Sequence, residues 1–348
     1  MLRRCFFLLS GEHLELPQAE LQAILESELV PLNQTIGLTQ VSLVDTTLDG
    51  LWHVAKRAAM VHSGGIHLLT ARIDRSDWKK HLKLLLDNCD IPLQEGSSFA
   101  VRARRIQRSC PFIEIPDLER LIGACLLQKR DLRLHVDLED PYHTFYAIVT
   151  DGYLVLGLRL FSIQRSTFDA RRAQFRRFVH PSAINPRFAR MMVNLARVSS
   201  QKTFLDPFTG SGGMLLEAGL IGCPSFGIDL DPTMIHGAQA NLNHFKIPNC
   251  ELIVGDARSP PFKVIDAIAT DPPYGASSST KGETVSDLVS DALMAASDIL
   301  APGGYICIAT PHTISLDQLG INVGLQLTSL FRQFVHRSLT RLIGVFKR

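Results

Sequence analysis

The tetrapeptide Asp271-Pro272-Pro273-Tyr274 is the part of this 348-residue chain whose residue types most narrowly define a chemistry. Two adjacent prolines fix φ and remove two N–H donors, leaving a stiff turn rich in acceptors. An exocyclic amino group presents two donors, and the Asp271 carboxylate and the Pro272 carbonyl can each take one. That grip leaves the nitrogen lone pair free to point at an electrophile. Tyr274 offers a ring for a flat base to stack on, worth on the order of 1–3 kcal/mol, and Gly275 permits close approach. The plainer alternative is a strand-ending Pro-Pro turn beside a surface tyrosine.

Upstream lies Asp206-Pro207-Phe208-Thr209-Gly210-Ser211-Gly212-Gly213. Lys202 to Asp206 reads as a short buried strand and Met214 to Leu220 as a helix. Between them, glycines let backbone N–H groups approach a ligand closely. In a doubly wound sheet such a loop lies at the carboxyl ends of the strands, where ligands bind. Asp206 closes its strand facing that crevice, and a carboxylate there suits a cationic sulfonium and its amino group better than a pyrophosphate. A plain strand-to-helix turn is the alternative. Asp229 ends the next strand about 20 positions after the loop, the expected place for a ribose hydroxyl ligand. Asp231 shares that role or caps the helix that starts near Pro232, the capping use being favoured. Asp256, followed by Ala257, is expected to accept from an adenine amino group, or else to be a turn carboxylate. The candidate cofactor set is therefore Asp206, Phe208, Thr209, Gly210, Ser211, Gly212, Asp229, Asp256 and Ala257, with Pro181 near its mouth. Loop and tetrapeptide together imply methyl transfer from S-adenosylmethionine to an exocyclic nitrogen of a nucleobase.

These residues need a sheet to bring them to one edge. Phe226 to Asp229, Leu252 to Val254 and Val264 to Thr270 read as successive apolar strands. Val285 to Leu300 reads as a helix, and Pro302-Gly303-Gly304 turns into a strand over Tyr305 to Ala309. Leu325 to Gln333 and Leu339 to Phe346 are expected as closing antiparallel strands. Ala276 to Thr284, a Ser/Gly/Lys-rich loop, is expected to close over substrate. Asn185 and Pro186 suit the N-cap and first position of a helix whose apolar face carries Phe188, Met191, Met192 and Leu195.

Phe178 to Val198, Asp206 to Glu217, Asp229, Met234, Gly237-Ala238, Asn241-Leu242, Gly255-Asp256-Ala257 and Asp271 to Gly275 make a pattern that resembles the archaeal tRNA guanosine-10 N2-methyltransferase family. The resemblance implies an N-terminal THUMP region that binds tRNA, S-adenosylmethionine as methyl donor, and Asp271 to Tyr274 as the catalytic segment. Adenine-directed relatives often carry Asn at the first position of that segment, so Asp271 leans towards guanine. The chain departs from the family's proline-containing Arg-Arg-Pro and Arg-Pro-Phe-Phe pattern, having Arg172-Ala173-Gln174 and Arg177-Phe178-Val179 instead.

The expected fold class is α/β: a C-terminal Rossmann-like methyltransferase sheet and an N-terminal α+β ferredoxin-like/THUMP region. Its parts are residues 1–75 (ferredoxin-like), 76–160 (THUMP), 161–178 (linker) and 179–348 (methyltransferase). In residues 1–75, strands at Phe6 to Leu9, Val41 to Val44 and Gly65 to Ala71 alternate with helices at Gln18 to Leu29 and Leu51 to Met60. In residues 76–160, the strand at 99–106 resembles a THUMP strand. A helix over Pro116 to Leu127 and strands over Leu134 to Leu138, Thr144 to Thr150 and Tyr153 to Leu160 follow it.

A net charge of +2 does not announce nucleic acid, but clustering does. Arg102, Arg104, Arg105 and Arg108 form one basic group, with a charged strand edge as the alternative. Arg171, Arg172, Arg176 and Arg177, interleaved with Phe175 and Phe178, form another, with a plain charged linker as the alternative. Both groups are expected to bind RNA. Seven widely spaced cysteines without a Cys-x-x-Cys pair indicate neither zinc nor a disulfide framework. The apolar run after Arg4 is too short for a signal peptide, and no segment suits a membrane span. A cytoplasmic monomer acting on tRNA is expected, without a membrane partner or a metal. Deleting residues 1–160 should then remove tRNA affinity and leave cofactor binding. Two other functions stay open: an adenine-N6 or different guanine-N2 methyltransferase on another RNA or on DNA, and a non-catalytic RNA-binding protein.

Overall fold

The computed structural model describes residues 1–129, 133–273, 284–336 and 339–348. The chain divides into two compact units, one of residues 1–14, 30–55 and 61–163, the other of residues 15–29, 56–60 and 164–348.

The first unit is built on one sheet of eight strands. In chain order these are β1 (Arg3–Leu9), β2 (Asn33–Leu38), β3 (Val41–Thr46), β4 (Val61–Arg72), β5 (Ser98–Arg105), β6 (His135–Val136), β7 (His143–Thr150) and β8 (Tyr153–Ser162). Their spatial order is β2-β3-β1-β4-β8-β7-β5-β6. The stretches 1–75 and 76–160 both feed this sheet, and the long β4 joins them by pairing with β1 on one side and β8 on the other. Phe99 and Phe145 meet edge to face, 5.7 Å between centroids, in a core that also holds Trp78, Leu82, Leu118 and Ile122.

Helices are numbered along the whole chain. They are α1 (Leu16–Ser27), α2 (Leu48–Arg57), α3 (Trp78–Asp87), α4 (Ile115–Leu127), α5 (Ser166–Asp169), α6 (Pro186–Leu195), α7 (Gly213–Gly219), α8 (Pro232–His244), α9 (Val285–Ile299) and α10 (Leu316–Asn322). The strand β2 and the helix α3 were not expected from the sequence. The strand expected over Leu134 to Leu138 is only two residues long.

The second unit carries β9 (Phe204–Asp206), β10 (Ser225–Asp229), β11 (Cys250–Val254), β12 (Ile265–Thr270), β13 (Leu300–Pro311), β14 (Gln326–His336) and β15 (Leu339–Lys347), in the order β11-β10-β9-β12-β13-β15-β14. Strands β9 to β13 pair in parallel, and β15 and β14 close the sheet antiparallel. Chain order runs outward in one direction from β9 to β11 and in the other from β12 to β13. The switch point therefore falls between β9 and β12, where open α/β sheets bind ligands. Pro302-Gly303-Gly304 is a bulge inside β13, with Gly303 at φ +78°, and the register against β12 slips there.

Local sequence explains the helices that frame this edge. Asn185 caps α6 by accepting from the N–H groups of Arg187 (3.0 Å) and Phe188 (3.4 Å), with Pro186 in the first turn. Thr284 caps α9 and exchanges hydrogen bonds with Asp287. Two short N-terminal pieces belong to this unit as well. Glu20 of α1, fully buried, accepts from the N–H groups of Ala59 and Met60 and from Asn194 of α6. Arg57 donates to the Asn194 side chain at 3.1 Å and to the Val198 carbonyl at 2.7 Å.

Candidate active site

β9 delivers Asp206 to the switch point, and the chain turns at once into the glycine loop. Gly210 and Gly212 are left-handed, φ +49° and +82°, a conformation that carries little strain only in glycine. Nothing lies within 4 Å of where a Cβ on Gly210 would stand, so bare backbone faces open space there. The loop is fixed from three sides. The Gly210 N–H donates to Asp229 (2.9 Å), and the Thr209 N–H donates to the Ile228 carbonyl (2.9 Å). Asn241 of α8 donates to the Ser211 carbonyl (3.0 Å) and exchanges two hydrogen bonds with the Phe178 backbone (2.7 and 3.1 Å). The Thr209 hydroxyl is turned towards Gly227 of β10, while Ser211 is nearly buried beside Arg176. Phe208 is partly exposed.

Four consecutive parallel strands end in, or turn just afterwards into, an acid: Asp206, Asp229, Asp256 and Asp271. Asp206 is 2 % exposed and accepts from the Thr270 hydroxyl (2.7 Å) and the Phe208 N–H (3.2 Å). Burial pushes its carboxyl up to about 7, and the neighbouring Asp229 and Asp271 charges push the same way. Asp229 receives the Asp231 N–H (3.0 Å) besides that of Gly210. Asp231 itself caps α8 through the Thr233 N–H (2.7 Å), the use favoured from sequence. Asp256 accepts from the Arg258 N–H and guanidinium at 2.7 to 3.1 Å, and Ala257 beside it is buried.

Asp271 follows β12 directly and is paired with Arg341 of β15 at 3.3 Å. Pro272 is buried and Pro273 half-buried. Tyr274, Gly275 and the loop as far as residue 283 lie outside the described residues. Pro181 is exposed, in a turn where the His180 ring bonds the Ser182 hydroxyl (2.7 Å).

The arginines divide by what they touch. Arg104, Arg108, Arg172 and Arg177 are exposed, Arg172 pairing with Asp169 at 2.7 Å. Arg102 donates to the Leu138 carbonyl (2.7 Å) and Arg105 to that of Ile113. Arg171 and Arg176 belong to the framework instead. Arg171 forks onto Glu217 of α7 (2.7 and 3.0 Å), which also takes Arg190 (2.9 Å). Arg176, buried, donates to the Arg171 and Ile184 carbonyls and the Ser211 hydroxyl. The sequence shows a cluster of positive charge but not which members are already held by a carboxylate. Arg341 and Thr270 were missed for a related reason: each is defined only by the acid that the fold brings to it.

Bare glycine backbone at the switch point, ringed by carboxylates, suits a nucleoside carrying positive charge, and the Asp-Pro-Pro turn adds acceptors beside it. This is the arrangement of a Rossmann-like methyltransferase dependent on S-adenosylmethionine. In agreement, the family model described as RMKL-like, methyltransferase domain matches residues 173–342. The chain belongs to the tRNA (guanine(10)-N2)-dimethyltransferase family. It is 36% identical to the enzyme of that name from Methanothermobacter thermautotrophicus, over 98% of both chains. It is 32% identical to that from Pyrococcus abyssi, over 96% of both. The crystal structure of TrmN from Thermus thermophilus shares the fold, with a TM-score of 0.56 at 21% identity over 99% of this chain and 100% of that one. Among the described residues, no helix is long and apolar enough to cross a membrane.

Proposed function

We propose that the protein methylates the exocyclic N2 of guanosine 10 in tRNA, twice, with S-adenosylmethionine as donor. The observation that carries the reading is the placement of Asp271-Pro272-Pro273 at the end of β12, next to β9 and its glycine loop at the switch point. When bound, the cofactor supplies a methyl group on a cationic sulfur that departs as a neutral thioether. The residues do the rest. Gly210 to Gly212 receive the cofactor closely, Asp206 faces its positive charge, Asp229 its ribose, and Asp256 and Ala257 its adenine, with Phe208 and Pro181 at the rim. The Asp271 carboxylate and the Pro272 carbonyl accept the two N–H groups of the guanine amine. The nitrogen lone pair forms the new N–C bond, and the proton the nitrogen sheds leaves through Asp271 to water. Tyr274 stacks on the base, which must leave its stack in the folded tRNA to arrive there.

Residues 76–160 act as a THUMP module beside a ferredoxin-like 1–75 stretch, both read from element order. Arg104, Arg108, Arg172 and Arg177, all exposed, take the phosphates. The protein works as a cytoplasmic monomer. The test is methylation of an unmodified tRNA transcript with labelled S-adenosylmethionine, followed by nucleoside mass spectrometry. N2,N2-dimethylguanosine at position 10 is expected. N6-methyladenosine, or no label in tRNA, would overturn the reading.

A further inference from the structure

We infer that Arg341 is a positioning residue that holds the Asp271 carboxylate as an oriented anion and thereby biases the site towards the guanine edge. The inference rests on the reading above, in which Asp271 receives the substrate amine. The guanine edge offers N1–H and N2–H side by side, two donors that match a carboxylate. An adenine-like edge offers an acceptor at N1 beside its amine, and an anion repels it.

Four observations carry this. The first is the pair itself, Arg341 Nη2 to Asp271 Oδ2 at 3.3 Å, with both side chains more than four-fifths buried, where salt screens a charge pair weakly. The second is reach. β13 lies between β12 and β15, so the pair spans about 10 Å of sheet, which only a long side chain bridges. The third is bracing. The Arg341 guanidinium lies over the Phe188 ring, 5.1 Å from its centroid, and Phe188 is buried in the first turn of α6. A guanidinium fixed against an aromatic face carries a direction as well as a charge. The fourth is the surrounding field: Asp271, like Asp229, lies close enough to Asp206 for the two charges to repel. Arg341 opposes that repulsion on the Asp271 side.

The experiment compares the wild type with R341Q, R341K and D271A on two tRNA transcripts. One carries guanosine at the target, the other 2,6-diaminopurine, which keeps the N2 amine but replaces N1–H by an acceptor. Single-turnover rates are read with tRNA and S-adenosylmethionine saturating, and dissociation constants for both are measured separately. For R341Q the guanosine rate should fall about 10- to 100-fold with both dissociation constants nearly unchanged. Its preference for guanosine over 2,6-diaminopurine should narrow by about tenfold. R341K, which keeps the charge on a shorter stem, should keep the preference at a reduced rate, and it carries the test if R341Q fails to fold. A wild-type rate in R341Q overturns the inference. So does a loss of rate with the preference intact in R341Q, or a lost preference in R341K, because a merely structural arginine would not read the N1 position. D271A separates the two levels: full activity in it sinks the proposed site, whereas an inactive D271A beside an unimpaired R341Q sinks only the role of Arg341.

Discussion

Thr270 donates its hydroxyl to the Asp206 carboxylate at 2.7 Å, tying the last residue of β12 to the last residue of β9 across the switch point. Asp206 is buried and its carboxyl lies up at about 7, so near neutrality it takes up and releases a proton while folded. The sign follows from linkage. A carboxyl raised in the folded state favours folding fully below its ordinary value near 4, and that contribution is lost as pH rises through about 7. Cofactor binding runs the other way, because a cation prefers the ionised form. Affinity for S-adenosylmethionine should tighten about tenfold from pH 6 to pH 8, and Asp206→Asn should flatten the profile. Thr270→Val removes the hydrogen bond and should weaken binding at pH 7 about fivefold. Calorimetric titration across pH checks all three.

Glu217 lies one turn into α7, 1 % exposed, and holds Arg171 and Arg190 together. Its removal strands two largely buried guanidinium groups, the situation in which breaking a buried pair costs about 3–5 kcal/mol. Glu217→Gln should therefore lower the urea midpoint strongly with an unchanged slope. Arg172→Gln, on the exposed Asp169 pair, should leave the midpoint nearly unchanged and the unfolding free energy within about 0.5 kcal/mol of wild type. Equal midpoints for the two variants would show that the buried triad is not the framework it looks to be.

Strand tips were the legible part of this site. Asp206, Asp229, Asp256 and Asp271 could be placed at one edge because each ends, or closely follows, a short apolar run and each run feeds a parallel strand. Capping was legible for the same local reason: Asn185 and Asp231 sit one residue before a proline and serve the N–H groups two residues on. What the sequence hid is whatever depends on pairing across distance. Arg171 and Arg176 are held by Glu217, 46 residues away, and Ser211, 35 residues away, and Asp271 by Arg341 across the sheet, contacts that no local pattern announces. The strand β2 escaped because its alternation is weak, and α3 because lysines dilute its apolar stripe of Trp78, Leu82 and Leu86.

Gly237 gives a sharper test of how the loop is held. A Cβ there would stand 2.2 Å from the Phe178 ring, which lies on the bare backbone of α8. The Phe178 backbone in turn shares Asn241 with the Ser211 carbonyl. Gly237→Ala should cost about 1–3 kcal/mol by overpacking and weaken cofactor binding by shifting the loop. Pairing it with Phe178→Leu, which empties the contested space, should recover part of the melting temperature. A double variant no better than Gly237→Ala alone would show that the two residues do not compete for volume.

Glu20 bears on any attempt to isolate the methyltransferase half. The sequence suggests that residues 1–160 can be cut away and a cofactor-binding remainder kept. The structure argues against that division, because α1 and residues 56–60 belong to the second unit. Glu20 is fully buried, its carboxyl raised by burial, and it satisfies the N–H groups of Ala59 and Met60 and the Asn194 amide. Cutting at 160 removes this carboxylate together with Arg57 and leaves Asn194, 0 % exposed in the intact chain, without either partner. A fragment of residues 161–348 should melt without a cooperative transition and fail to bind S-adenosylmethionine. In the full chain, Glu20→Leu should cost about 3 kcal/mol by orphaning buried donors. Differential scanning calorimetry of the fragment and the variant decides the matter: a sharp endotherm in the fragment would mean that α1 is dispensable.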